Sequence, residues 1–210
     1  MKFALIPAGG QSQRMGRPKL ALPLGDRTVL EHVVAALREA AIDHILVVVG
    51  PHVPELRPLA ERAGAEVLLL TETTADMRAT VEQGLHWLEN HWRPQERDGW
   101  LLGPADHPTL RADVVRQLLR ALEANPDATI VIPTFQGRRG HPVLFTWSQV
   151  AAIRSLPQGQ GLNAHVRQQA AAILEVAVDS ADILWDLDTP ADYERLRSSW
   201  PAHTLQTGAG

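Results

Sequence analysis

Short runs of apolar residues alternate along the chain with longer segments in which apolar and polar residues are mixed. The short runs have the length of β-strands, and polar or turn-forming residues bound them. Uninterrupted apolar runs are typical of strands buried on both faces of a sheet. The predicted strands are Phe3–Ile6, Ile45–Val49, Val67–Leu70, Trp100–Leu102, Thr129–Ile132, Pro142–Phe145 and Leu174–Val178.

Most of the mixed segments carry apolar residues at the spacing of an α-helix. One predicted helix follows Thr28, and Glu31 is placed to complete a capping box with it. The last predicted helix has Thr189 as its N-cap, Pro190 at the first helical position and Asp192 at the third. The positions expected to face the core are Leu30, Val33, Val34, Leu37 and Ala41; Met77, Val81, Leu85, Leu88 and Trp92; Val114, Val115, Leu118, Leu119 and Leu122; and Tyr193, Leu196 and Trp200.

The alternation of strands and helices predicts an α/β protein with a mostly parallel central sheet covered on both faces. We find no internal repeat and no Ser- or Gly-rich linker, so we expect residues 1–200 to form a single domain. The apolar pattern ends near Trp200, and we predict that residues 201–210 are a disordered tail.

Composition excludes several classes of function. The formal net charge is −4 and there is no basic block, which argues against a nucleic-acid-binding protein. The chain has no cysteine, so a disulfide framework, thiolate catalysis and a Cys-ligated zinc site are excluded. We expect a cytoplasmic protein without a signal peptide or a membrane span, because no apolar window approaches the ~18 residues that a span needs.

The first predicted strand ends in the sequence Pro7-Ala8-Gly9-Gly10, and cations follow at Arg14, Arg17 and Lys19. Glycines after a strand allow backbone amides to approach and hold an anion. The segment does not have the spacing of a P-loop or the G-x-G-x-x-G pattern of a dinucleotide-binding turn. The residues therefore leave two readings open, a third type of phosphate-binding loop or an ordinary strand–helix connection with surface cations.

The stretch P-A-G-G-Q-S-Q-R-M-G-R-P-K resembles the signature of the molybdopterin nucleotidyltransferases, L-A-[AG]-G-x-S-x-R-M-G-x-x-K. These enzymes belong to the larger GT-A-like nucleotidyltransferase superfamily. The resemblance implies a three-layer, Rossmann-like α/β fold. It also implies that the nucleotide is bound by Ala8, Gly9, Gly10, Ser12, Arg14 and Lys19.

Two aspartates match the metal-binding positions of the same family. Asp106 lies in Gly103-Pro104-Ala105-Asp106-His107-Pro108, which resembles G-D-x-P, and Asp188 lies in an Asp-Leu-Asp-Thr-Pro segment. The resemblance implies that both aspartates bind Mg²⁺, and two carboxylates with substrate phosphates suit that hard cation. Read from the residues alone, Asp106 could cap a turn and Asp188 could precede a helix N-terminus, with Asp186 as the alternative ligand.

Three further segments resemble the family less closely. Thr80 follows Met77 in a segment similar to G-M-x-x-S-L, where it would contact the base or ribose, or simply cap or pack the helix. Gly140 and His141 begin a G-H-P-V-L-F segment that would line the acceptor side, with Arg138 and Arg139 beside an anionic group or in a solvated hairpin. Residues 156–163 lack the Asp and Arg of the family's L-x-G-D-x-G-A-R element.

The resemblance implies an enzyme, a nucleotidyltransferase in which Arg14, Lys19, Asp106 and Asp188 are the catalytic residues. It would transfer NMP from an NTP, CTP or GTP, to the phosphate of a small acceptor such as molybdopterin, with Mg²⁺ and release of pyrophosphate. The alternatives are an enzyme that uses a sugar phosphate or another small alcohol phosphate, and a non-catalytic nucleotide-binding chaperone. A molybdoenzyme apoprotein is a further possible partner. Gly9 fits the guanylyltransferase members, whereas the Met77 and G-H-P-V-L-F segments look more like the cytidylyltransferases.

Overall fold

The structure is a computed structural model that describes residues 1–10, 15 and 18–200. The predicted tail, residues 201–210, lies outside the described residues. Among the described helices, none combines the length and the apolar character that crossing a bilayer would need.

The described residues form ten β-strands, seven α-helices and several short 3-10 turns. The strands are β1 (Lys2–Ala8), β2 (Pro23–Leu24), β3 (Arg27–Thr28), β4 (His44–Val49), β5 (Glu66–Leu69), β6 (Gly99–Leu102), β7 (Ile130–Phe135), β8 (Arg138–Arg139), β9 (Val143–Thr146) and β10 (Ile173–Ala177). The helices are α1 (Val29–Glu39), α2 (Leu56–Ala63), α3 (Met77–Trp92), α4 (Ala112–Ala124), α5 (Val150–Arg154), α6 (Leu162–Gln168) and α7 (Pro190–Ser199). The 3-10 turns span Lys19–Ala21, Trp147–Gln149, Ala170–Ala172 and Ala181–Leu184.

The large sheet has the strand order β10-β7-β9-β6-β1-β4-β5, with β8 paired to β7 at one end. β1 pairs in parallel with β4 and β6, β4 with β5, and β7 with β10. β9 runs antiparallel between β6 and β7. The mostly parallel sheet predicted from the sequence is confirmed, and the carboxyl ends of its parallel strands share one edge.

Successive residues of the central strand β1 enter two different cores. Ala4 and Ile6 pack with α1, α2 and α4 on one face, whereas Phe3 and Leu5 pack with α3, α5 and α6 on the other. All four side chains are fully buried. This division follows from the period of two in a strand, and it explains why the run carries no polar alternation. The fold therefore has the three α/β layers that were expected.

Both predicted helix starts are present. The Thr28 hydroxyl accepts from the Glu31 backbone amide, and the Glu31 carboxylate accepts from the Thr28 amide, which completes the capping box. Thr189 and Asp192 make the same reciprocal pair, with Pro190 at the first position of α7. Because the second cap fixes where α7 begins, it also fixes the segment before it, which carries Asp186 and Asp188.

For three residues, the prediction that they face the core is wrong. Ala41 is exposed because it follows the C-cap of α1 and adopts a left-handed conformation, with φ of 59°. Met77 is 64% exposed because it is the first residue of α3 and borders a surface cavity. Trp92 is 38% exposed at the end of α3, where its ring lies 3.6 Å from that of His44. Each lies at a helix end, where helical periodicity no longer determines burial.

Helix α3 lies against the sheet through Gly84. A Cβ atom placed on Gly84 would lie 2.9 Å from a methyl carbon of Val48 and would also overlap a methyl carbon of Leu5. Val48 and Leu5 are fully buried in β4 and β1. The close approach of α3 to these central strands therefore requires a residue without a side chain.

We predict that Gly84→Ala lowers the free energy of unfolding. Overpacking in a closed core typically costs about 1–3 kcal/mol, which exceeds the ~0.5–1 kcal/mol gained by replacing glycine with alanine in a helix. Urea unfolding would measure the difference. Gln83→Ala, at the exposed neighbouring position, is the control and should change stability by less than about 0.5 kcal/mol. A Gly84→Ala protein as stable as the wild type would contradict this packing.

Candidate active site

A cavity of about 760 Å³ lies at the carboxyl edge of β1. Pro7, Ala8, Gly9 and Gly10 line it, as do the residues that follow β6. This is the edge at which open α/β sheets bind ligands. The predicted loop residues Ala8, Gly9 and Gly10 therefore lie in a cavity wall.

Gly50, which follows β4, supports the turn after β1, and sequence reasoning missed it. A Cβ atom on Gly50 would lie 3.1 Å from the Cα atom of Gly9, closer than real Cβ contacts usually are. The glycine at the end of a strongly apolar strand was the available signal. The turn that carries Gly9 and Gly10 is thus held against the end of the neighbouring strand.

Lys19, Asp106 and Asp188 meet at one point of the cavity wall. The ammonium group of Lys19 donates hydrogen bonds to the carboxylate of Asp106, to the carbonyl oxygen of Leu187 at 2.8 Å and to Oδ1 of Asp188 at 3.4 Å. The Lys19 and Asp106 side chains are largely buried, whereas that of Asp188 is 40% exposed. Three residues chosen from separate sequence motifs therefore form one charged centre.

Backbone contacts bring the two aspartates together. The Leu187 amide donates to the Asp106 carbonyl at 3.1 Å, which joins the segment before α7 to the segment after β6. The buried side chain of His107 makes a second tie, a hydrogen bond between its Nε2 and the carbonyl oxygen of Asp182. His107 is thus a packing residue that positions this segment.

The donor set fits a hard divalent cation. The carboxylates of Asp106 and Asp188 both reach the same ammonium group, so their oxygens converge on a site of positive charge. Within the part of the chain that is described, no group of three or more His, Cys, Asp or Glu side chains could hold a metal. Two carboxylates suit a cation that takes its remaining ligands from water and substrate phosphates. Asp186 lines the cavity too, but its carboxylate faces His107 Nδ1, 3.8 Å away.

His141 lines the same cavity, and Gly140 holds it there. The His141 amide donates to the Ile183 carbonyl at 2.8 Å. A Cβ atom on Gly140 would lie 2.8 Å from the Ile183 carbonyl carbon, so the two chain segments can meet only at a glycine. Burial lowers the pKa of the His141 imidazole and the nearby His107 lowers it further, whereas Asp186 and Asp106 act in the opposite direction. His141 therefore provides the cavity with a neutral hydrogen-bonding group at neutral pH.

The other segments expected on the acceptor side lie outside the cavity wall. Arg138 and Arg139 are exposed on β8, and Arg139 pairs with Glu175 of β10 at 2.7 Å. Arg78 of α3 donates to the carbonyl oxygens of Pro157 and Gln160, at 2.9 and 3.1 Å. Arg78 thus holds the loop of residues 156–163, which lacks the Asp and Arg of the family's element.

Thr74, Asp76 and Thr80 form another part of the cavity wall, at the start of α3. Thr80 is 4% exposed, and its hydroxyl bonds to the Thr74 hydroxyl and to the Asp76 carbonyl oxygen. A Cβ atom on Gly9 would meet Thr80 at ordinary contact distances of 3.6 and 3.7 Å. The turn therefore has room beside Thr80 for an alanine at this position. Ser12 and Arg14, also predicted site residues, lie outside the described residues.

A larger open groove of about 1130 Å³ lies between α1 and α4. Arginines and acidic residues line it together, and several are paired, as Arg62 with Glu31 and Arg111 with Asp113. It contains none of the described residues that were predicted to bind the nucleotide, the metal or the acceptor. Chemistry rather than volume therefore identifies the cavity at the end of β1 as the candidate site.

Comparison with curated proteins gives relatives with different names. A 2-C-methyl-D-erythritol 4-phosphate cytidylyltransferase from Ralstonia nicotianae is 36% identical over 130 residues, 59% of this chain and 51% of that protein. The purine catabolism protein PucB of Bacillus subtilis is 28% identical over 205 residues, 90% of this chain and 93% of that one. The molybdenum cofactor cytidylyltransferase of Escherichia coli is 23% identical over 190 residues, 90% of this chain and 92% of that one. The chain thus spans half of the first relative and nearly all of the other two.

Comparison with solved structures gives the same fold. The structure of Rv0371C from Mycobacterium tuberculosis in complex with manganese has a TM-score of 0.74 and 26% identity, and the match covers 94% of this chain and 98% of that chain. A nucleotidyl transferase from Methanothermobacter has a TM-score of 0.76 at 21% identity, over 95% of this chain and 97% of that one. The family model described as MobA-like NTP transferase domain matches residues 4–173. The chain belongs to this family of MobA-like NTP transferase domains, and several of its relatives are named as nucleotidyltransferases.

Proposed function

We propose that the protein transfers NMP from CTP or GTP to the phosphate of a small acceptor, most readily a molybdopterin-type cofactor, and releases pyrophosphate. The observation that carries the proposal is the meeting of Lys19, Asp106 and Asp188 beside the glycine turn of β1. A cation, two carboxylates and approachable backbone amides in one cavity suit a triphosphate better than a neutral ligand.

The reaction is a displacement at phosphorus. An oxygen of the acceptor phosphate attacks the α-phosphorus, the bond to the bridging β-oxygen breaks, and pyrophosphate leaves with that electron pair. Lys19 offsets the negative charge that gathers at the α-phosphate, and the amides around Gly9 and Gly10 hold the leaving phosphates together with Arg14. These roles are positioning and electrostatic stabilisation, which provide most of the catalysis of phosphoryl transfer.

Mg²⁺ is the proposed cofactor, held by Asp106 and Asp188. When bound, it would supply positive charge at the reacting phosphates. The manganese complex of the related Rv0371C structure supports a divalent cation in this family. His141 lines the cavity together with Asp106 and Asp186, and its imidazole is neutral. It can therefore donate a hydrogen bond to the acceptor substrate or take one from it.

The acceptor is less narrowly defined than the reaction. The Ralstonia relative is named for an alcohol phosphate, which makes a small alcohol or sugar phosphate the second candidate. A nucleotide-binding chaperone that docks on a molybdoenzyme apoprotein is the non-catalytic alternative, and the charged centre at Lys19 argues against it. A cytoplasmic location stays a prediction from the sequence.

We expect Lys19→Ala and Asp106→Ala each to reduce pyrophosphate release by at least about 100-fold, because each removes a charge that acts on the reacting phosphates. Coupled pyrophosphate assays would measure the loss, and circular dichroism would show that the variants fold. Asp127→Ala, an exposed carboxylate outside the cavity, is the control and should retain activity. Wild-type rates in either site variant would remove that residue from the mechanism.

Metal binding provides a test that does not depend on turnover. Electron paramagnetic resonance titration with Mn²⁺ should give an affinity that falls at least about tenfold in Asp106→Asn and in Asp188→Asn, because each loses a ligand. Chelation should stop pyrophosphate release, and added Mg²⁺ should restore it. Asp127→Ala should bind Mn²⁺ like the wild type. Unchanged Mn²⁺ affinity in both site variants would contradict the proposed ligands.

Acceptor choice can be tested with purified molybdopterin cofactor, 2-C-methyl-D-erythritol 4-phosphate and a panel of sugar 1-phosphates. We expect the highest kcat/KM for pyrophosphate release with the molybdopterin cofactor. Thermal shifts with each NTP and Mg²⁺ report binding independently, since a ligand stabilises the folded state by RT ln(1 + [L]/Kd). NTP binding without pyrophosphate release for any acceptor would favour the chaperone.

A further inference from the structure

The 3-10 turn Ala181–Leu184, here called the anchor turn, lies four residues before Asp188 and limits where that carboxylate can lie. The carbonyl oxygen of Asp182 in this turn receives two hydrogen bonds. One comes from the Trp185 amide at 3.1 Å and closes the turn, and the other comes from Nε2 of His107. A carbonyl oxygen has two lone pairs, so these two donors fill it. The turn is therefore held both by its own backbone and by a side chain from the segment after β6.

The bond to the anchor turn determines which ring nitrogen of His107 carries a hydrogen there. A carbonyl oxygen has no hydrogen to give, so Nε2 must be the donor. Nδ1 is buried and has no hydrogen-bond partner among the residues that the structure describes. The carboxylate of Asp186 lies 3.8 Å from it, beyond hydrogen-bonding distance. The ring's hydrogen bond to this segment is thus made through Nε2.

Two ties join the segments that carry the proposed metal ligands. His107 follows Asp106 in the chain and bonds to Asp182, while the carbonyl of Asp106 accepts from the Leu187 amide at 3.1 Å. Adjacent residues of one segment therefore hold the other segment at two points five residues apart. Asp188 comes directly after the second point, and its side chain is 40% exposed. Because so much of this side chain is open to solvent, its place depends strongly on the path of the backbone before it.

We propose that His107 is a positioning residue for the metal site, because its bond to Asp182 sets where Asp188 lies relative to Asp106. The inference rests on the proposed function and deepens it, since it adds a residue that acts on the cation through the ligands. His107 is 1% exposed and does not line the cavity, so it acts without touching nucleotide or acceptor. Groups that orient metal ligands from outside the coordination shell typically change metal affinity by about 10–100-fold.

A matched pair of substitutions tests the nitrogen rather than the bulk of the ring. In His107→Gln the amide nitrogen lies about as far along the side chain as Nε2, whereas in His107→Asn it lies near the position of Nδ1. Electron paramagnetic resonance titration with Mn²⁺, without nucleotide and below the melting temperature of each variant, gives the affinity. We expect at least about a tenfold loss in His107→Asn and a change within about threefold in His107→Gln.

His165→Asn is the control that separates positioning from a loss of stability. His165 is also 1% exposed, and its Nε2 makes a hydrogen bond to the side chain of Gln149 at 2.8 Å, outside the cavity. We expect His165→Asn to lower the thermal midpoint, as His107→Asn does, and to leave the Mn²⁺ affinity within about threefold of the wild type. If His107→Asn does not fold, His107→Leu removes the same donor without burying an unpaired amide, and it gives the same readout.

The Mg²⁺ dependence of pyrophosphate release is the second measurement. The apparent KM for Mg²⁺ should rise at least about tenfold in His107→Asn, and excess Mg²⁺ should restore most of kcat, because both carboxylates are still present. Wild-type Mn²⁺ affinity in a folded variant without the donor would overturn the inference and leave the proposed function intact. Equal losses in His107→Asn and His107→Gln would assign the effect to the packing of the ring and would also overturn it.

Failure of the proposed function gives a different result. If no NTP releases pyrophosphate but the wild type binds Mn²⁺, the proposed reaction is wrong, and the Mn²⁺ affinities of the variants still decide the role of His107. If the wild type itself binds no Mn²⁺, the proposed metal site is wrong and the inference falls with it.

Discussion

The ammonium group of Lys19 is the counter-charge on which the candidate site depends. It contacts Asp106, Asp188 and the Leu187 carbonyl, so chain segments from two distant parts of the sequence converge on one cation. Two carboxylates held close together repel each other, and the positive charge of Lys19 offsets that repulsion. The lysine that we assign to the reaction therefore also stabilises the site before substrate arrives. The backbone bond from Leu187 to Asp106 keeps the two segments in register.

Much of this arrangement could be predicted because local rules determine it. Buried parallel strands can be recognised in the sequence as continuous apolar runs. The helix caps at Thr28 and Thr189 depend on hydrogen bonds to residues three positions later, Glu31 and Asp192, so they too can be predicted locally. Strand ends in a parallel sheet share an edge, so motifs after β1 and β6 had to come close together. The meeting of Lys19, Asp106 and Asp188 is thus the outcome expected from topology and from the family resemblance together.

Other features depend on contacts that a single sequence does not display. Gly50 and Gly84 are required by the neighbours they face across the fold, and nothing in their own segments identifies those neighbours. Met77 and Trp92 fit a helical stripe, but the helix ends leave them at the surface. Arg139 was a candidate for binding an anionic acceptor, but in the structure it forms a salt bridge with Glu175 of β10.

The antiparallel strand β9 has an evolutionary consequence. It enters the sheet from the cavity edge, so Gly140 and His141 reach the site on a different stretch of chain from Asp106 and Asp188, which it meets at Ile183. Mutations in that stretch that keep the contact with Ile183 can reshape the room for an acceptor while the charged centre keeps its geometry. Selection can therefore exchange one acceptor for another without rebuilding the machinery of transfer. Relatives of this chain are named for a methylerythritol phosphate and for a molybdenum cofactor, as such modularity would allow.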